Sequence, residues 1–194
     1  DVTKGIFDAF RAEGFMVGTY FSKPDWHSPD YWWPYFATPD RNPNYDIEKY
    51  PERWQRFVQF THGQINELMS NYGPVDILWL DGGWVQKHSK EEIMKNPAAR
   101  LQNQDVKMDE LAAKAREKRP GLIVVDRAVH GKNQNYLTPE NTVPDVEILD
   151  PWESCIISGG GWSYTPDATY KPAREIVHML VDIVAKGGNL LLNI

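Results

Sequence analysis

Three runs of apolar residues in this chain close on an aspartate: Val75–Leu80 on Asp81, Leu122–Val125 on Asp126, and Val146–Leu149 on Asp150. Arg127 follows Asp126 directly, and Glu140 and Glu153 come in the stretches beyond. Carboxylates at the C-terminal ends of parallel strands share one rim, where α/β enzymes place their acids. Two carboxyl groups, an arginine and several indoles suit glycoside hydrolysis. That reaction needs one ionised and one protonated carboxyl group flanking the scissile bond. The protonated one needs burial or a like charge to raise its pKa. The same aspartates, with His130 as a nitrogen ligand, suit a metal-dependent barrel hydrolase. No HxH or HExxH spacing is present, so the metal reading ranks second. A sugar-binding domain without catalysis is the third reading, and the presence of both candidate carboxylates argues against it.

The most telling segment is Val75-Asp76-Ile77-Leu78-Trp79-Leu80-Asp81-Gly82-Gly83-Trp84. Alternation along a strand puts Trp79 and Asp81 on one face. The glycine pair allows a sharp turn and leaves room for a ligand. A strand ending at an ordinary Asp-Gly turn would look the same locally. The remaining elements must decide between the two.

Helical and strand patterns alternate around that segment. Ile6, Phe7 and Phe10 share a helical face, and Gly14 stands where a helix ends. Phe15–Phe21 reads as a strand, followed by a loop rich in proline and aromatics. Pro51 opens a helix carrying Trp54, Phe57, Thr61, Ile65 and Leu68 at helical spacing, which Gly73-Pro74 stops. Further helices are expected over about Gln104–Lys118 and Pro172–Lys186, with strands at Leu122–Val125, Val146–Leu149 and Asn189–Ile194. Strands apolar on both faces and separated by helices imply a parallel sheet. About five strands are expected, whereas a (β/α)8 barrel typically takes roughly 250 residues. The expected fold is an incomplete (β/α)8-like barrel, with residues 1–194 its middle and later part.

Composition narrows the function classes. The 194 residues carry a net charge of −6 with no basic block, which argues against nucleic acid and anionic membrane as partners. No apolar stretch has the length of a membrane span. A lone Cys155 rules out an internal disulfide. Eight Trp, nine Tyr and seven Phe, many in loop-like stretches, suit stacking on pyranose rings. His62, His88 and His178 are expected in structural or surface roles.

Short motifs then point to a family. They are Gly18-Thr-Tyr-Phe-Ser22 with Asp25-Trp26, Val75–Gly82, Val125-Asp-Arg127, Leu137-Thr-Pro-Glu140, Pro151-Trp-Glu153, Gly161-Trp-Ser-Tyr164, and Lys186–Asn193. In this order and spacing the chain resembles the catalytic domain of α-L-fucosidases, glycoside hydrolase family 29, over its whole length. The resemblance implies a retaining, exo-acting hydrolase of fucosylated glycans that needs no cofactor and no metal. It implies Asp81 as nucleophile and Glu140 as acid/base, with Glu153 the second choice. Tyr20, Trp79, Arg127 and Trp162 would hold the sugar, Trp162 near the C5 methyl group. Asp25, Trp26, His27 and Tyr31-Trp32-Trp33 would border the aglycone side. A secreted, periplasmic or lysosomal location is what the family suggests, and oligomeric state is left open. One departure matters: the family's adjacent His-His pair on the first barrel strands has no counterpart here. Residues 1–194 alone are therefore expected to lack those strands and any C-terminal β domain, and to be inactive.

Overall fold

The computed structural model describes residues 1–96, 102–125, 127 and 131–194. They form two compact units, residues 1–134 and 135–194.

In the first unit the elements run α1 (Val2–Ala12), β1 (Gly18–Ser22), α2 (Pro51–Asn71), β2 (Ile77–Asp81), α3 (Lys90–Lys95), α4 (Met108–Lys118) and β3 (Ile123–Val124). The strands pair in the order β1-β2-β3, all parallel, with helices in the connections. Sequence dictates much of this. Pro51 stands in the first turn of α2, and Trp54, Phe57, Thr61 and Ile65 form its buried face. Gly73 then takes φ +80°, a conformation that ends the helix and that other residues rarely adopt. Asp76 fixes the entry to β2, accepting from the Val17 amide at 2.9 Å and pairing with Arg119 at 2.5 Å. Leu78 and Leu80 are wholly buried, as strand interiors covered on both faces should be.

In the second unit β4 (Glu153–Ile157) and β5 (Asn189–Asn193) pair in parallel across α5 (Ala173–Ala185). Residues 137–141 lie along the other side of β4 through parallel bridges, Leu137 to Trp152 and Glu140 to Cys155. Trp152, Ile156 and Ile183 are the core, with Leu137, Ile148, Met179 and Leu190 packed around them. Gly188 is required here: a Cβ on it would lie 2.4 Å from the Trp152 indole.

Three expectations are corrected. Val146–Leu149 is not a strand; Val146 and Leu149 are exposed, and the ladder forms a few residues later. The reason lies in the backbone pairing. Leu137 N–H donates to Pro151 O, Glu153 N–H to Leu137 O, and Cys155 N–H to Pro139 O. Second, α4 starts at Met108 rather than near Gln104, because Lys107 sits in a left-handed conformation with its amide on Asp105 Oδ1. Third, the polar stretch before residue 97 contains the short helix α3, closed by a reciprocal Ser89–Glu92 capping box. Among the described residues no helix is long and apolar enough to cross a membrane.

Candidate active site

The register of β1 on β2 sets Tyr20 beside Trp79 and Ser22 beside Asp81. Parallel pairing at equal height puts the Tyr20, Trp79 and Asp81 side chains on one face. The Tyr20 ring stacks on Trp79, with centroids 5.5 Å apart and planes 21° apart. Its hydroxyl donates to Asp81 Oδ2 at 2.6 Å. Arg127 Nη1 donates to Asp81 Oδ1 at 2.8 Å, and its guanidinium lies 4.9 Å from the Trp79 ring centre. Each carboxylate oxygen thus holds a donor, and an indole supports the cation.

These contacts set the charge. Burial opposes ionisation of Asp81, but the Tyr20 hydroxyl, the Gly82 amide and the Arg127 guanidinium together outweigh it. The Asp81 carboxyl is held below the usual carboxylate range. Burial and the neighbouring Asp81 charge push the Tyr20 phenol up, so it stays protonated and keeps donating. The arrangement yields an anion at a strand end, fixed in place, beside an aromatic face.

Two supporting contacts were not anticipated from sequence. Lys23, at 0% exposure, sends Nζ to the Arg127 carbonyl at 2.8 Å, while its own amide donates to the Asp81 carbonyl at 3.2 Å. It therefore touches the backbone of both partners in the ion pair. A lysine before a proline in a polar loop carries no sequence signal of burial. Gly82 takes φ +80° directly after Asp81, and a Cβ there would lie 2.6 Å from Pro24. The turn after Asp81 and the loop after β1 thus press together.

The other expected site residues fall in the second unit or in loops. Glu140 is exposed and pairs across from Cys155, with Asn141 next in the chain capping the Ile157 amide through Oδ1 at 3.1 Å. It is level with the middle of β4, two residues before the end of that strand. Glu153, by contrast, is the first residue of β4, opposite Asn189. It does not follow a strand end as expected. Trp162 is half exposed, in a loop closed at its base by a Gly159–Tyr170 bridge, and its carbonyl accepts from Asn193 Nδ2 at 3.2 Å. Asp150 lies in an exposed bend rather than at a strand end, which removes one of the three expected rim aspartates. Asp126 and His130 lie outside the described residues. Among the described residues no group of three or more His, Cys, Asp or Glu stands together as a metal site.

The aromatic loop after β1 divides by burial. Tyr31 is fully buried and Trp26 is half exposed, stacked on Trp32 at 5.7 Å and 16°. Asp25 Oδ1 accepts the amides of His27 and Ser28, a turn-forming role. His62 and His88 contact the carbonyls of Val106 and Trp84, and His178 is exposed, which fits structural and surface positions.

Comparison with known proteins shows the family. The profile of the Alpha-L-fucosidase family matches residues 1–194. An α-L-fucosidase from Dictyostelium discoideum is 24% identical over 201 residues, covering all of this chain and 39% of its own length. The solved structure of α-L-fucosidase isoenzyme 1 from Paenibacillus thiaminolyticus is 30% identical at a TM-score of 0.76, covering 100% of this chain and 46% of that one. An α-L-fucosidase from Bacteroides thetaiotaomicron, solved as a trapped covalent intermediate with 2-fluoro-fucosyl fluoride, shares the fold at a TM-score of 0.67 and 24% identity, covering 97% of this chain and 43% of that one. The chain spans 36–39% of the length of its curated relatives.

Proposed function

The chain belongs to the α-L-fucosidase family, and from that premise we propose that it forms part of a retaining, exo-acting α-L-fucosidase acting on fucosylated glycans without a cofactor. Its strands would belong to a (β/α)8-like barrel, completed by segments outside residues 1–194. The observation that carries the reading is Asp81: a carboxylate at a strand end, ionised, with both oxygens held by Tyr20 and Arg127 above Trp79.

Asp81 is the proposed nucleophile. One of its oxygens attacks the anomeric carbon while Glu140 gives its proton to the departing glycosidic oxygen. The C–O bond to the aglycone breaks and a fucosyl ester forms. Glu140, now a carboxylate, takes a proton from water, and that water cleaves the ester and restores both groups. Arg127 and Tyr20 keep Asp81 charged and oriented, and then turn their hydrogen bonds to the sugar as its charge is spent. Trp79 and Trp162 supply apolar faces for the ring and its methyl group. Glu140 stands two residues farther along the ladder than Glu153, which begins its strand, and this supports Glu140 as the acid/base.

The test is to treat the full-length protein with 2-fluoro-fucosyl fluoride and map the labelled peptide. A label on Asp81 is expected, and Asp81→Ala should lower kcat/KM on an aryl α-L-fucoside at least ~10³-fold. A label on any other residue would overturn the assignment. Azide should restore turnover of Glu140→Ala, but not of Glu153→Ala, on a substrate with a good leaving group.

A further inference from the structure

Asn141 takes a backbone conformation that few side chains adopt, and it stands directly after Glu140. Its φ is +49°, in the left-handed region, where a Cβ crowds the following carbonyl oxygen and asparagine is among the few residues tolerated. Strain of this kind persists only where surrounding contacts fix it. Here hydrogen bonds to β4 do so. Cys155 N–H donates to the Pro139 carbonyl at 3.0 Å and Asn141 N–H donates to the Cys155 carbonyl at 2.8 Å, so the ladder is closed on both sides of Glu140. Ile157 N–H donates to Asn141 Oδ1 at 3.1 Å. The Ser154 hydroxyl, on a wholly buried residue, donates to the Thr142 carbonyl at 2.7 Å.

The Ile157 bond is the informative one. In a regular parallel ladder the next acceptor for that amide is the main-chain carbonyl of residue 141. A left-handed residue turns its carbonyl out of the ladder, and the Asn141 side chain accepts in its place. The chain therefore leaves the sheet one residue after Glu140, with the peptide groups on both sides of Glu140 held. Glycine would make this turn without strain but could not make the bond. A short side-chain amide does both.

We propose that Asn141 is a positioning residue for Glu140: its side chain closes the ladder on Ile157 and so fixes the place from which Glu140 delivers its proton. The assignment rests on the proposed acid/base role of Glu140. A general acid works only within hydrogen-bond reach of the leaving oxygen, so a backbone held on both sides is what it needs from the fold. Asn141 acts through Glu140 and not on the sugar.

The experiment uses the full-length protein and two substrates. One is a fucosylated disaccharide, whose leaving alkoxide needs a proton, and the other is α-L-fucosyl fluoride, whose fluoride departs with little help from one. Asn141→Gly keeps the turn and removes the acceptor. In that variant the ratio of kcat/KM for the disaccharide to that for the fluoride should fall about tenfold, a part of the ~10²–10⁴-fold that a positioned general acid supplies. Asn141→Asp, which keeps an oxygen for the Ile157 amide, should restore most of the ratio. Glu140→Ala should lower the ratio further, and adding Asn141→Gly to it should lower it no more. A ratio unchanged in Asn141→Gly, an equal loss on both substrates included, would overturn the role of Asn141 alone. So would no recovery in Asn141→Asp, or a further drop in the double variant. A wild type that cleaves neither substrate, or a ratio unmoved in Glu140→Ala, overturns the proposed function itself and this role with it.

Discussion

Asp81 accepts from two side-chain donors whose effects differ. Tyr20 is neutral and orients the carboxylate, whereas Arg127 also supplies charge. The folded carboxyl sits below its ordinary value, so Asp81 stays ionised as pH falls toward the usual carboxylate range and is neutralised only below it. Removing Arg127 takes away a cation that lowers the pKa. The acidic limb of the kcat/KM profile should therefore move to higher pH in Arg127→Met, and an unmoved limb would show that Arg127 does not hold the charge. Lys23→Met should move the limb in the same direction and lower kcat/KM by roughly 10²-fold, the scale of a small misplacement at a reacting group. Because Lys23 meets the Arg127 backbone, the double variant should be no worse than Arg127→Met alone. Fully additive losses would show that Lys23 acts on the fold and not through Arg127. Strand alternation displayed Asp81 and Trp79 in the sequence, and the family resemblance pointed to Tyr20 and Arg127. It concealed Lys23, whose burial depends on chain segments brought together only by folding.

Elements were legible where their boundaries carry local chemistry. Pro51 and Gly73-Pro74 bracket α2, and the apolar run of β2 leaves one reading. The pattern failed where long-range pairing decides. Val146-Glu147-Ile148-Leu149 resembles a strand more than Glu153-Ser154-Cys155 does, yet the second pairs with residues 137–141 and with β5. Ser154 hides its hydroxyl on the Thr142 carbonyl at 2.7 Å, so a polar residue sits at 0% exposure without cost. The same packing makes a stability prediction. Gly188 lies against the Trp152 indole at the start of β5, too close for any side chain. Gly188→Ala should destabilise the protein by about 1–3 kcal/mol, the usual penalty for overpacking, read from denaturant melts. An unchanged midpoint would mean that the indole can slide aside.

At the scale of the whole molecule, the surface is the argument. Along α5, Val177, Leu180, Val181 and Val184 are exposed while Ile183 is the buried residue, so apolar side chains line more than one face of that helix. On α1, Ile6 and Phe10 are half exposed and no residue is buried. Helices that are apolar on several sides belong between layers, not at a surface, and parallel sheets are normally covered on both faces. The chain spans under two-fifths of the length of the curated relatives it matches. A polypeptide of residues 1–194 alone should therefore bind an apolar dye such as ANS, self-associate on sedimentation, and fail to hydrolyse an aryl α-L-fucoside. The full-length protein should bind no dye, should not self-associate in this way, and should hydrolyse the fucoside. A monomeric, dye-silent 194-residue chain that hydrolyses the fucoside would show instead that Asp81 and its neighbours need no further strands to work.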